Sequence, residues 1–264
     1  MKEILMKDKE EKKLVKVAAG SEGIIYEYND EIYKRFYDVE PRIIANKTKK
    51  IEKIDNLNID FLVKANNIVL DKRMNPKGYT MEKINYDHTM YWCLKDDRMS
   101  LNTKISYLKQ LQEKVKMLHK QGITVGDFNM ANFLFENRTD NLKFIDIDNY
   151  GIDGLKSDIK PDVLQPYYDN KINDGNDENF DKFSFAIMAI RLLTPQEKNR
   201  FEWEMLRLKN GFDRDYLKDV LIPGLDVDKQ VKEYLYHIIS NDKQKEYFND
   251  LDKLKTKDSF LRMK

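Results

Sequence analysis

Three oxygen-bearing side chains lie close together in the middle of the sequence. Asp127 is followed five residues later by Asn132, and Asp146 comes after a further short hairpin. Transfer of a phosphoryl group from ATP needs this set: a base for the attacking hydroxyl and two oxygen ligands for Mg²⁺. The apolar flanks Phe133-Leu134 and Phe144-Ile145 argue against a merely solvated loop. The pattern therefore predicts phosphoryl-transfer chemistry.

The first 84 residues are predicted to form strands and one helix. Two glycines, Gly20 and Gly23, precede a hairpin whose polar turn is Asn29-Asp30. Lys34 follows on the second strand, on the same face as Ile32 and Phe36. A cation on an otherwise apolar face needs a partner.

Further elements are predicted on both sides of this hairpin. A strand is expected near residues 14–18, a helix from Pro41 to about Ile54, and strands at 61–70 and 78–81 around an Asn-Pro-Lys-Gly turn. The later chain is predicted to be mostly helical, with an amphipathic helix over 101–120 and a buried helix over 183–193. Residues 161–178 form the longest expected loop.

The segment from Asp127 to Asn132, with Asp146, resembles the catalytic loop and metal-binding strand of the protein-kinase superfamily. Residues 18–25 match G-x-G-x-x-G-x-V with alanine at the first glycine. The resemblance implies an α+β, bilobal, protein kinase-like fold. Its N-lobe, residues 1–84, would be a small antiparallel sheet with one helix. Residues 85–264 would form a larger, mainly helical C-lobe.

The same resemblance implies roles for particular residues. Asp127 would accept the proton of the attacking hydroxyl, Asn132 and Asp146 would bind Mg²⁺, and Lys34 would hold the phosphates. Glu52, or alternatively Glu40, would pair with Lys34. Asp181 would accept main-chain N–H groups of the catalytic loop. The other expected ATP contacts are Gly20, Gly23, Ile25, Met81, Glu82, Ile84 and Leu134.

The sequence also departs from that family. Val125 and Gly126 replace the histidine and arginine that precede the catalytic aspartate, and Asn129 replaces a lysine. Asp148 stands where the family has glycine and could add a third metal ligand. Ile32 replaces a small alanine above the adenine, which predicts a tight nucleotide pocket.

Composition restricts the partners. The net charge of +1, from 47 basic and 46 acidic residues, argues against a dedicated nucleic-acid-binding surface. Cys93 is the only cysteine, so an intrachain disulfide cannot form. No apolar run is long enough for a membrane span or a secretory signal. We therefore expect a cytoplasmic protein that needs neither nucleic acid nor membrane.

Three functions fit these observations. The first is a kinase that uses ATP and Mg²⁺, or Mn²⁺, to phosphorylate a protein hydroxyl, most simply of serine or threonine. The second is a small-molecule phosphotransferase, because Gly126-Asp127 and Asp146-Ile147-Asp148 also resemble aminoglycoside and choline phosphotransferases. The third is a pseudokinase that acts as a regulatory binding module.

Overall fold

The computed structural model describes residues 1–37, 39–96, 98–136, 139, 141–157, 178–194 and 214–240. It has α+β architecture, with a six-stranded mixed sheet and several helices. The chain divides into two compact units, each formed by two stretches of the sequence. The first unit comprises residues 1–87 and 134–158, and the second comprises residues 88–133 and 159–264. The segment around Asp146 thus belongs to the same unit as Lys34, although the sequence predicts it in the C-lobe.

The first unit is built on the six-stranded sheet, whose strand order is β1-β5-β6-β4-β3-β2. The strands of this sheet are β1 (Lys2–Leu5), β2 (Val15–Ala19), β3 (Gly23–Tyr28), β4 (Glu31–Phe36), β5 (Ala65–Leu70) and β6 (Pro76–Glu82). The predicted hairpin is formed by β3 and β4, and Ile25 lies opposite Lys34 in its register.

The sheet is mixed, so the prediction of an antiparallel sheet is wrong at one edge. Strand β1 pairs with β5 in parallel, with Lys2 opposite Asn67. The pairing continues at Met6, whose N–H donates to the carbonyl of Leu70. Met6 is buried with Tyr33 and Val69. Burial of this apolar side chain holds the charged N-terminal segment on the sheet.

The turn between β5 and β6 also differs from the prediction. The Asn75-Pro76-Lys77-Gly78 sequence was expected to form the turn, but β6 already begins at Pro76. The reversal lies over residues 71–75 instead. There the Asp71 carboxylate accepts hydrogen bonds from the N–H groups of Arg73 and Asn75. A short acidic side chain that binds its own following backbone is a strong turn former.

Two helices belong to the first unit. A short helix, α1, covers Asp8–Glu11, and α2 covers Pro41–Asp55, close to the predicted bounds. Proline at the first turn of α2 fits its fixed φ and its missing N–H group. The inward face of α2 buries Lys47, Ile51 and Ile54 at helical spacing.

The first unit resumes at residue 134, within a hairpin of β9 (Phe133–Glu136) and β10 (Leu142–Phe144). Phe144 ties this hairpin to the earlier chain. Its N–H donates to the carbonyl of Phe61, and its carbonyl accepts from the N–H of Val63. The two phenylalanine rings meet edge to face, 5.3 Å apart. A 3₁₀ turn at Ile147–Asn149 follows directly.

The second unit is mainly helical in its described residues. Its longer helices are α3 (Met90–Lys95), α4 (Leu101–His119), α5 (Glu178–Leu193) and α6 (Lys229–Ser240). Helix α4 ends one residue before its predicted limit, and α5 is buried over most of its length, as its apolar sequence indicates. The expected loop at 161–178, which includes Pro166-Tyr167-Tyr168, lies outside the described residues up to its last position.

Shorter elements complete the described chain. They are the strands β7 (Tyr86–Thr89), β8 (Ile123–Thr124) and β11 (Gly151–Ile152), and helical segments at Met130–Asn132, Arg214–Tyr216, Leu217–Leu221 and Ile222–Gly224. In the part of the chain that the structure describes, every helix is too short or too polar to cross a lipid bilayer.

Candidate active site

Lys34 lies at the centre of a buried charge cluster in the first unit. Its side chain is only 4% exposed, and its ammonium nitrogen lies 3.0 Å from Asp146 Oδ1 and 2.8 Å from Asp148 Oδ1. Lys34, which lies on an otherwise apolar strand face, is therefore paired with two aspartates. More than 110 residues of sequence separate the lysine from both carboxylates.

Asp148 has no exposed side-chain surface, and both of its oxygens are bonded. Oδ1 accepts from Lys34 and from the hydroxyl of Tyr79 at 3.0 Å, and Oδ2 accepts from Lys47 at 2.8 Å. An enclosed carboxylate shared by two ammonium groups has no oxygen available for a metal ion. The suggestion that Asp148 adds a third metal ligand is therefore wrong.

The charges of this cluster shift one another's pKa values. Burial alone would lower the pKa of Lys34, but Asp146 and Asp148 raise it well above its ordinary value. Burial would likewise raise the pKa of Asp148, but Lys34 and Lys47 lower it. Burial and the charge of Asp148 raise the pKa of the Tyr79 hydroxyl. The cluster thus holds two ammonium groups, ionised Asp148 and a neutral phenol near neutral pH.

Helix α2 contributes a lysine to this cluster where the resemblance predicted a glutamate. Lys47 reaches Asp148, and its pKa is raised because Asp148 and Glu22 outweigh burial. The predicted pair of Lys34 with Glu52 is wrong. Glu52 is exposed and lines a surface depression with Met1 and Lys2 among others. Residues 47 and 52 are five apart, so a helix turns them to different faces.

The alternative partner, Glu40, does not reach Lys34 either. It is exposed and stands immediately before the first turn of α2, where its carbonyl accepts from the N–H of Ile43. Its position is explained by the start of the helix.

Asp146 is the more accessible aspartate. Its side chain is 24% exposed, and its backbone lies in the left-handed region with φ of 60°. This conformation is uncommon for a residue with a side chain, although aspartate tolerates it better than most. Oδ1 binds Lys34, while Oδ2 accepts no hydrogen bond from any residue that the structure describes. Asp146 therefore presents an oxygen that can bind a cation.

The two predicted loop glycines serve different purposes. A Cβ at Gly23 would lie 2.3 Å from the carbonyl oxygen of Arg35, so only glycine permits the close approach of β3 and β4 here. A Cβ at Gly20 would meet nothing within 4 Å. The turn is closed by a hydrogen bond from the Gly20 N–H to the Gly23 carbonyl.

The remaining expected ATP contacts lie on or beside strands. Ile25 is half-buried on β3, and Met81 is buried on β6 opposite Ile32 in the register. Glu82 is exposed at the end of β6, and Ile84 is half-buried just after it. Leu134 is buried on β9. Glu82 is the one polar side chain among these positions and it is exposed, so the side chains do not identify a base-binding pocket.

In the second unit, Asp127 and Asn132 are in direct contact. The amide nitrogen Nδ2 of Asn132 donates to Asp127 Oδ2 at 3.0 Å and to the Asp127 carbonyl at 3.3 Å. The turn between them is held by Asn129, whose side chain accepts from the N–H of Ala131. Asn129 therefore has a clear local role as a cap.

The loop before Asp127 is fixed by the buried carboxylate of Asp181 on α5. Asp181 accepts from the N–H of Val125 at 2.7 Å and of Gly126 at 3.0 Å, and it contacts Nε2 of His119 at 2.9 Å. The expected main-chain contact of Asp181 is present. Gly126 has φ of 67°, which explains why glycine stands there.

Two side-chain oxygens, one in each unit, are of a kind that Mg²⁺ accepts. No group of three or more His, Cys, Asp and Glu residues in the described ranges could hold a metal ion. Asp146 offers Oδ2 and Asn132 offers its amide oxygen, because only Nδ2 donates to Asp127. Carboxylate and amide oxygens are both ligands that a hard cation such as Mg²⁺ accepts.

Sequence reasoning missed four members of the charge cluster: Lys47, Tyr79, Asn149 and Glu22. Lys47 had a usable signal, because it precedes Ile51 by four residues and Ile54 by seven, on the apolar stripe of the helix. A lysine at such a position needs a carboxylate. The sequence offered no comparable signal for Glu22, which lies in a polar turn.

The comparisons with known proteins do not extend this description. The sequence matches no protein-family model, and no curated protein matches it.

Proposed function

We propose that the chain is an ATP- and Mg²⁺-dependent phosphotransferase of protein kinase-like fold that phosphorylates a protein hydroxyl. The observation that carries this proposal is the 3.0 Å contact between Lys34 Nζ and Asp146 Oδ1. A strand lysine beside an accessible aspartate provides one charge for a phosphate and one oxygen for the metal that accompanies it.

Each member of the pairs Lys34–Asp146 and Asp127–Asn132 has a proposed role. Lys34 binds and orients the phosphates, and Asp146 and Asn132 would hold Mg²⁺, which neutralises the charge that develops on the phosphoryl oxygens. Asp127 orients the acceptor hydroxyl and takes its proton as the oxygen–phosphorus bond forms and the bond to ADP breaks.

The contacts of Asp127 support its proposed role as the catalytic base. Its Oδ2 is held by the Asn132 amide, and the loop that precedes it is anchored on Asp181 by two main-chain N–H groups. A base that is held in place by its neighbours loses little entropy when the acceptor binds.

The test is transfer of labelled phosphate from ATP in the presence of Mg²⁺ to the chain itself and to a generic acceptor such as casein. Asp127→Ala removes the proposed base, and Asp60→Ala, which alters an exposed aspartate, is the matched control. We expect transfer by the native chain and by Asp60→Ala but not by Asp127→Ala. Equal transfer by Asp127→Ala would reject the mechanism.

A second candidate, a nucleotide-binding regulatory module without transfer, is favoured by one observation. Helix α2 brings Lys47 instead of a glutamate to the cluster, and the loop carboxylate of Glu22 binds that lysine. Binding of ATP that raises the melting temperature, with no transfer to any acceptor, would support this candidate instead.

A further inference from the structure

The carboxylate of Glu22 is bound by two buried side chains from other elements of the first unit. Its Oε1 lies 2.9 Å from Lys47 Nζ on α2, and its Oε2 accepts from Asn149 Nδ2 at 2.5 Å. The Lys47 side chain is 4% exposed, and Asn149 is fully buried. Two donors, one for each oxygen, thus form a small site for an anion.

These donors are also held by residues other than Glu22. Lys47 is held by Asp148 Oδ2 at 2.8 Å and by Asn149 Oδ1 at 2.6 Å. Asn149 is held in turn by the 3₁₀ turn, where its N–H donates to the carbonyl of Asp146. The two donors are therefore positioned by contacts that do not involve the Glu22 carboxylate.

Glu22 can leave this site by rotation of its side chain alone. Its backbone carbonyl accepts from the N–H of Tyr37, and the Tyr37 hydroxyl donates to the carbonyl of Gly20. These bonds hold the turn without using the side chain of residue 22. The Glu22 side chain is 19% exposed, so solvent already reaches it.

The anion site adjoins the lysine that is assigned to the phosphates. Lys34 and Lys47 bind the two oxygens of the same Asp148 carboxylate. With Glu22 in place, two lysines face three carboxylates: Asp146, Asp148 and Glu22. If the Glu22 carboxylate left, the Lys47 ammonium group, which lies beside Lys34, would be able to bind another anion.

We infer that Lys47 and Asn149 form a subsite for a phosphate oxygen of the bound nucleotide, and that Glu22 competes for it from within the chain. This inference rests on the proposed function. The ligand class is a nucleoside polyphosphate or another polyphosphate. Binding would exchange the Glu22 carboxylate for a phosphate oxygen on the same two donors.

The experiment is isothermal titration calorimetry with two probes, Mg²⁺-ATP and inorganic pyrophosphate. Glu22→Ala removes the carboxylate from the subsite. Glu22→Gln removes the negative charge of residue 22 but keeps nearly the same side-chain volume, so it serves as the second variant if Glu22→Ala folds poorly. Glu27→Ala is the control, because Glu27 lies on the same hairpin and pairs with exposed Lys83. A thermal melt of each variant verifies folding.

Both Glu22 variants should bind both probes about tenfold more tightly than the native chain. This is the size of effect expected when the probe no longer has to displace one charge-assisted contact, that of Glu22 with Lys47. Glu27→Ala should leave affinity unchanged. Adding Lys47→Met to Glu22→Ala should abolish the gain. Unchanged or weaker binding by folded Glu22 variants would overturn the inference.

The two probes separate this inference from the proposed function. Equal ATP affinity in the native chain and both Glu22 variants rejects the subsite while the nucleotide site stands. Lys47-dependent pyrophosphate binding, with no ATP binding by any variant, retains the anion subsite and rejects the proposed function. Absence of binding for both probes in every variant rejects both.

Discussion

The ammonium nitrogen of Lys47 lies 2.8 Å from Oδ2 of Asp148, a carboxylate whose other oxygen binds Lys34 at the same distance. The α2 helix and the chain after β10 are thereby joined through one buried aspartate. The sequence predicts a glutamate, and thus a negative charge, at the inward face of this helix, whereas the structure has Lys47 there. Because the aspartate supplies the negative charge here, a lysine on the helix preserves the pairing.

Asp148→Asn should destabilise the first unit strongly. The amide removes the negative charge that both buried ammonium groups share, and breaking a buried pair costs about 3–5 kcal/mol in the free energy of unfolding. Urea denaturation measures the change. Asp153→Asn, which breaks the exposed pair with Lys53, is the control and should have little effect. Similar small changes in both variants would show that the cluster does not stabilise the fold.

The free energy of unfolding should fall at both extremes of pH. The pKa of Asp148 is lower in the folded chain than its ordinary value of 3.8, so its stabilising contribution is present above that value and is lost as the pH falls. The pKa values of Lys47 and Tyr79 are raised above 10.5 and 10.0. Their contributions are complete below those values and are lost as the pH rises further.

The alkaline loss can be assigned by comparison with Lys47→Met. Urea unfolding from about pH 5 to about pH 11 should show a smaller alkaline decline in this variant, because one of the raised pKa values is gone. An unchanged alkaline decline would mean that Lys47 does not contribute to it.

Gly23→Ala and Gly20→Ala should behave differently, although both alter the glycine turn. The new methyl group at residue 23 would overlap the Arg35 carbonyl, and such overpacking costs about 1–3 kcal/mol. The methyl group at residue 20 would lie in open space, so the melting temperature should be nearly unchanged. Equal effects would contradict the close approach of β3 and β4 at Gly23.

Local patterns predicted much of the first unit but not its long-range contacts. The β3–β4 hairpin, helix α2 and the inward face of Lys34 followed from alternation and helical spacing. The parallel edge strand β1 did not, because four charged or apolar residues carry no period that distinguishes parallel pairing. The α+β class was predicted correctly, with a mixed sheet in place of an antiparallel one.

The need of Lys34 for a partner was predicted correctly, but the identity of that partner was not. A buried lysine needing a carboxylate was inferred from Lys34, and Asp146 meets that need at 3.0 Å. Glu52 was the wrong partner, because family spacing says nothing about which face of a particular helix turns inward. The apolar stripe through Ile51 and Ile54 identifies that face and selects Lys47.

The binding of ATP with and without Mg²⁺, measured by calorimetry, tests the central claim most directly. The native chain should bind Mg²⁺-ATP, and Lys34→Met should bind it at least about tenfold more weakly, since one charge-assisted contact is lost. Asp146→Asn should lose most of the enhancement by Mg²⁺, and Lys83→Met, an exposed lysine beyond β6, should behave as the native chain. Native affinity in a folded Lys34→Met variant, or no binding by the native chain, would contradict the account.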